Sequence, residues 1–167
     1  MFDQPYIRSR WFEDIPVGEF HVFGSHTFSE KEIIDFGNKY SPEVYHTAPE
    51  GAFETPYHGL IASGWHVTAI WMKLMVSYME RFASGVRDGR RNGAGVGLQD
   101  LVWQRPVRPG HTITYTYEIT SKPDHILRDK WGIIRSRNEA FNQYNRRVMS
   151  FTIDILAERN PELLGQV

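Results

Sequence analysis

Cysteine is absent from all 167 residues. That excludes disulfides, thiolate nucleophiles and cysteine-ligated zinc or iron–sulfur centres, and leaves His and carboxylate ligands for any metal. An excess of charge is missing as well. Lys and Arg total 19 against 20 Asp and Glu, a formal net charge of -1, so no overall field draws the chain to nucleic acid or an anionic membrane. There is no long apolar run either: the stretch Leu60 to Val76 is interrupted by Ser63, Gly64, His66, Thr68 and Lys73. A bilayer-spanning helix needs about twenty nearly continuous apolar residues. The opening residues, Met1 to Arg8, lack the basic patch and apolar run of a signal peptide. These absences predict a cytoplasmic protein with no nucleic-acid or membrane partner, and the spacing of His46, His58 and His66 fits no strong ligand motif, so no metal is expected. Internal repeats and low-complexity segments are lacking too.

What is present suits one ordinary domain, residues 1–167, with a real core: 41% of residues are hydrophobic and 14% aromatic. Phe20 to Phe28 reads as a strand. Ser29 and Glu32 have capping-box spacing, and Phe28 and Ile33 can form a hydrophobic staple, which predicts a short helix from Glu30 to about Phe36. Gly37, Asn38, Ser41 and Pro42 then predict a break that delivers the chain into a loop holding His46. Residues Thr47 to Pro56 contain two prolines and a glycine and read as an ordered loop.

From Gly59 the pattern changes. Leu60, Ile61, Val67, Ile70, Trp71, Leu74, Met75, Tyr78, Met79 and Phe82 recur at helical spacing, predicting one long core helix that begins at Gly59 and stops near Ser84-Gly85. Gly64 within it implies close approach of another backbone. Arg87, Arg90 and Arg91 lie in a Gly-rich linker. The period then becomes two: Val96 to Gln104, Thr112 to Thr120, Trp131 to Asn138 and Arg147 to Leu156 read as strands, with a Pro109-Gly110 turn between the first two and a frayed tail after Asn160. Strands around one nearly all-round apolar helix imply an α+β domain whose antiparallel sheet curls about that helix. Such a sheet leaves part of the helix and its own edges uncovered, so at least a homodimer is expected.

Three segments carry a family resemblance: Tyr45-His46-Thr47, Gly59-Leu60-Ile61-Ala62-Ser63-Gly64-Trp65-His66, and Trp103-Gln104-Arg105-Pro106-Val107-Arg108-Pro109-Gly110-His111-Thr112. Together they resemble the MaoC-like dehydratases, or (R)-specific enoyl-CoA hydratases, of the hotdog superfamily, over about Phe12 to Ala157. The resemblance implies a sheet wrapped on a central helix and a dimer or higher assembly. It also implies reversible hydration of a 2-enoyl thioester of coenzyme A or acyl carrier protein, the carrier being part of the substrate and no further cofactor being needed. In that family an Asp five residues before the catalytic His completes a proton-handling pair. His46 matches the His, but Ser41 stands where the Asp would be. A serine hydroxyl orients a proton carrier but is a poor general base near neutrality. Glu43 is the nearest acid; Asp35 and Glu50 are more remote.

By the same resemblance Gly59 offers its backbone N–H to the thioester carbonyl at a helix entrance. Ser63 either hydrogen-bonds near the site or is a small packing residue, and His58 either caps the helix or lines the pocket. His66 reads as a polar-face or core residue. Arg87, Arg90 and Arg91, with Arg105 and Arg108, are either solvated surface cations or contacts for coenzyme A phosphates. Tyr115, Tyr117 and Trp131 read as sheet packing, since no basic stripe accompanies them. The expected activity is hydration or dehydration of an acyl thioester. A non-catalytic thioester-binding or dimer-partner subunit is the second reading, because of Ser41, and a thioesterase the third.

Overall fold

A computed structural model describes residues 11–83, 92–123 and 130–164. Its sheet contains β1 (Phe20–Thr27), β2 (Asn92–Trp103), β3 (Thr112–Ser121), β4 (Trp131–Asn142) and β5 (Arg147–Glu158), all antiparallel, in the order β1-β3-β4-β5-β2. Four helices precede β2: α1 (Glu30–Tyr40), α2 (Val44–Thr47), α3 (Pro49–Phe53) and α4 (Gly64–Ala83). The core forms where the sheet meets α4. Val67, Trp71 and Tyr78 of the helix pack with Phe23 of β1, Tyr115 and Tyr117 of β3, Ile134 of β4, and Met149, Phe151 and Ile153 of β5.

Buried polar ties help to set the helix on the sheet. The Trp71 indole N–H donates to Asn138 Oδ1 at 3.1 Å, and the Tyr115 hydroxyl donates to the Val67 carbonyl at 3.1 Å. Asn138 is fully buried, and its amide nitrogen donates in turn to the carbonyl and hydroxyl of Ser136. Every buried polar atom in this cluster therefore has a partner, as a dry core requires.

The start of α1 follows its sequence signals. Ser29 Oγ accepts from the Glu32 N–H at 3.3 Å, while Phe28 and Ile33 are both buried. Its end does not, because the helix runs through Gly37 and Asn38 to Tyr40. Pro42, which disfavours helix at the residue before it, and not Gly37, sets the stop. Gly37 is kept in the helix by packing: a Cβ there would lie 2.6 Å from the His46 carbonyl oxygen. The stretch read as a loop after Ser41 contains α2 and α3, with His46 inside α2.

The long helix begins at Gly64, five residues later than its periodicity predicts, and spans 20 residues, about 30 Å. Tertiary hydrogen bonds hold the preceding residues extended. The Ile61 N–H donates to the Tyr45 carbonyl at 3.0 Å and the Ala62 N–H to the Val107 carbonyl at 2.8 Å. Gly64 is close to a side chain instead of a backbone, for a Cβ there would collide with the Trp103 indole.

The Pro109-Gly110 turn is present, with Gly110 at φ +80°, but it closes no hairpin. It carries the chain from the β2 edge to the far side of the sheet, where β3 lies between β1 and β4. β4 and β5 form a hairpin, with Asn145 in the left-handed region at φ +56°. The tail is tied down: the Asn160 N–H and the Arg159 guanidinium both donate to the Glu13 carboxylate, at 2.9 and 3.0 Å. Arg87, Arg90 and Arg91 lie outside the described residues.

Candidate active site

Three segments meet at the start of α4: the Ser41–His46 turn, the extended run Ile61–Ser63, and the end of β2 with the residues after it. Between them lies a cleft of about 460 Å³ whose lining includes Ser41, His46, Ser63, Gly64, Trp103 and Gln104. Its walls are mainly apolar, built from Ile61, Ala62, Val67, Val107 and Val148 with Tyr45, Tyr57 and Trp65. No carboxylate is among the lining residues.

His46 is 7% exposed. Its Nδ1 lies 2.8 Å from the Ile61 carbonyl oxygen. A carbonyl only accepts, so Nδ1 carries the proton and the neutral ring has its basic lone pair on Nε2. No described residue hydrogen-bonds that Nε2. The same Ile61 braces the turn from its other side through the Tyr45 carbonyl, so one residue fixes both backbone and imidazole.

Ser63 precedes the helix, and its carbonyl accepts the first intrahelical bond, from the Val67 N–H at 3.2 Å. A serine at this position usually turns its hydroxyl back to cap the first turn. Here Ser63 Oγ instead donates to Ser41 Oγ at 3.3 Å. Ser41 Oγ in turn donates to Glu43 Oε2 at 2.9 Å. The N–H groups of Gly64 and Trp65 have no acceptor among the described residues, and both residues line the cleft at the positive end of the helix dipole.

Several expected site residues are elsewhere. The Gly59 N–H donates to the Ala52 carbonyl at 3.0 Å, and Gly59 does not line the cleft. Its glycine identity answers a backbone need, φ +137°, with Arg108 Nη1 only 3.2 Å from where a Cβ would be. The helix entrance expected at Gly59 lies at Gly64 and Trp65, because the helix starts later. His58 is exposed, at φ +49°, and does not line the cleft. Glu43 also stays outside the cleft; its own backbone N–H and the Ser41 hydroxyl hold its carboxyl below the usual Glu range. Asp35 pairs with Lys31 on the outer face of α1, and Glu50 is likewise absent from the lining.

His66 is buried against Phe36, with ring centroids 4.5 Å apart and an interplanar angle of 4°. Burial lowers its pKa and its Nδ1 has no partner among the described residues. Residues missed in the sequence are Gln104 and Trp103. Both sit within the Trp103–Thr112 segment, yet only the fold shows them at the cleft wall. Among the described residues no group of three or more His, Asp or Glu is placed to hold a metal ion.

Comparison with known proteins places this geometry. No family model matches the sequence. The uncharacterized protein YdeM of Bacillus subtilis is 24% identical over 147 residues, covering 88% of this chain and 98% of that one. A MaoC-like dehydratase from Rhodospirillum rubrum superposes with a TM-score of 0.76 at 26% identity, covering 91% of this chain and 99% of that one. The chain has the MaoC-like hotdog fold. A monoamine oxidase regulatory protein from Archaeoglobus shares the MaoC-like fold with a TM-score of 0.80 at 24% identity, over 93% of this chain and 99% of its own. The (R)-hydratase from A. caviae involved in PHA biosynthesis shares it at 0.66 and 19% identity, over 86% and 97%. The MaoC-like hotdog sheet and central helix are thus the α+β architecture that periodicity implied.

Proposed function

We propose that this protein adds water to a 2-enoyl thioester, or removes it from a 3-hydroxyacyl thioester, in the cleft beside Gly64. The observation that carries the proposal is the His46 tautomer: Nδ1–H is spent on Ile61, so a basic Nε2 remains in a cleft shared with an open helix N-terminus. In the hydration direction Nε2 takes a proton from water as the oxygen bonds the β-carbon. The π electrons move through the α-carbon to the thioester carbonyl, and the Gly64 and Trp65 N–H groups receive the oxyanion. The imidazolium then returns its proton to the α-carbon, and the carbonyl re-forms. One imidazole serves as base and then as acid. The apolar walls suit a short or medium acyl chain. The carrier is coenzyme A or an acyl carrier protein, with Arg105 at the cleft.

The test is hydration of a panel of 2-enoyl-CoA thioesters from four to eight carbons. His46→Ala is expected to lower kcat/KM by about 10² to 10⁴ while the circular dichroism spectrum is unchanged. Turnover equal to wild type would remove His46 from the chemistry. Wild-type binding of acyl-CoA without turnover would favour the non-catalytic reading, which Ser41 supports. A thioesterase draws no support from a lining without a carboxylate.

We further propose that a second copy of the chain completes the assembly. β2 is an edge strand exposing Val96, Leu98 and Val102, and α4 exposes Trp65, Met72 and Val76. Pairing β2 edges would satisfy the unpaired backbone and cover this apolar face.

A further inference from the structure

The hydroxyl chain from Ser63 through Ser41 to Glu43 has a direction, and the direction follows from its end. Glu43 is exposed, and its carboxyl is held low by its own N–H and by Ser41. As a carboxylate it can only accept, so Ser41 must donate to it. The Ser41 oxygen is then left to accept from Ser63, whose single proton is thereby committed away from the cleft. Ser63 is 3% exposed and lines the cleft. Its oxygen can present only lone pairs there. With Nδ1–H given to the Ile61 carbonyl, an imidazole at His46 likewise presents only a lone pair, at Nε2.

We propose that Glu43, acting through Ser41, is a positioning residue that makes Ser63 Oγ an acceptor for the reacting water, or for the 3-hydroxyl group of the substrate, opposite His46 Nε2. The inference rests on the hydration reading and adds a division of labour to it. A water that donates one proton to Nε2 and the other to Ser63 Oγ has its own lone pair free to attack the β-carbon. During the step the first proton passes to Nε2, and the second stays on the oxygen as the product hydroxyl, still donated to Ser63. Ser63 neither gains nor loses a proton, and neither does Glu43. The Glu43 charge thus orients the water through two hydroxyls, while the proton transfer falls to His46 alone. Selectivity follows as well, because a ligand with a donor at its β-carbon satisfies Ser63 and one without it leaves the lone pairs unmet.

Two measurements on one set of variants test this. In steady-state hydration of crotonyl-CoA, Glu43→Gln and Ser41→Ala should each lower kcat about tenfold, the worth of one well-placed hydrogen bond, with KM within about twofold. Combining them should cost no more than either alone, because both cut the same chain. Ser41→Thr, which keeps the hydroxyl, should restore most of kcat, and Glu50→Gln, outside the cleft, should match wild type. Additive losses, or Glu43→Gln equal to wild type, would overturn the proposal. The second measurement is binding by calorimetry in the His46→Gln background, where no proton is taken. There 3-hydroxybutyryl-CoA should bind about tenfold tighter than butyryl-CoA, and the preference should vanish on adding Glu43→Gln. If wild type hydrates nothing, the hydration reading falls, and the binding ratio still decides the chain: an equal ratio with and without Glu43→Gln rejects it.

Discussion

A single residue, Gly64, shows how closely packing and chemistry are joined at this site. It stands at the first position of α4, lines the cleft, and lies under the Trp103 indole so closely that a Cβ would collide with the ring. Trp103 is itself held by donation of its indole N–H to Thr68 Oγ1 at 3.2 Å, so the ring cannot swing aside freely. Gly64→Ala is expected to destabilise by about 1 to 3 kcal/mol, the usual cost of overpacking, and to move the very N–H groups assigned to the oxyanion. Urea unfolding and kcat measured together will show both losses. A stable variant with unchanged kcat would mean the carbonyl is held elsewhere. Gly59→Ala is a different case, since its cost arises from a φ of +137° and its N–H already has an acceptor.

At the scale of elements, α4 and the sheet are registered by few polar contacts. Asn138 on β4 receives the Trp71 indole N–H inside the core. Replacing it with Leu leaves that donor buried and unpaired, which costs about 1 to 3 kcal/mol; the expected readout is a lower denaturant midpoint with an unchanged slope. The outer sheet face carries a second cross-strand tie. Arg135 on β4 stands opposite Asp154 on β5 and donates to both of its oxygens, at 2.7 and 2.8 Å. The Arg135 hydrogen bond holds the Asp154 carboxyl below its usual value. Because folding lowers this pKa, the pair contributes fully above the unfolded value, about 3.9, and is lost as pH falls through the lower folded value. Asp154→Asn should therefore destabilise at neutral pH and flatten the stability loss below about pH 4. Unfolding curves at several pH values check the sign. A mutant that tracks the wild type throughout the acid range would contradict it.

At the scale of the whole molecule, the β2 edge and one side of α4 leave an apolar face open among the described residues. Leu98 is 45% exposed and Met72 50%, and Trp65, at 59%, belongs both to this face and to the cleft. If a second copy covers it, light scattering will give twice the chain mass of 19.5 kDa. Met72→Glu with Leu98→Lys should then yield monomer, with reduced turnover because the Trp65 wall is left in water. A wild-type monomer would refute the assembly. The extent to which the fold was legible differs along the chain for reasons that are physical. Thr112–Thr120 alternates cleanly because β3 has one buried face, and the Ser29–Glu32 cap is local chemistry. The start of α4 was misplaced because Leu60 and Ile61 are buried either way, so periodicity could not tell helix from an extended run. The partner of β2 could not be read from the Pro109-Gly110 turn, because a turn residue reports only a local bend.

The sequence by itself determined the α+β class, the core face of the long helix and the candidacy of His46, since periodicity, caps and a short motif are properties of neighbouring residues. Tertiary structure alone decided which groups face the cleft. Ile61 is extended because Tyr45 and His46 take its N–H and carbonyl, and that pairing both delays α4 to Gly64 and sets the imidazole tautomer. Glu43 reaches the cleft only through Ser41 and Ser63, residues two and twenty positions away. Hydrogen bonds between distant segments choose among conformations that local pattern leaves equally acceptable, and at this site they assign the donors and acceptors.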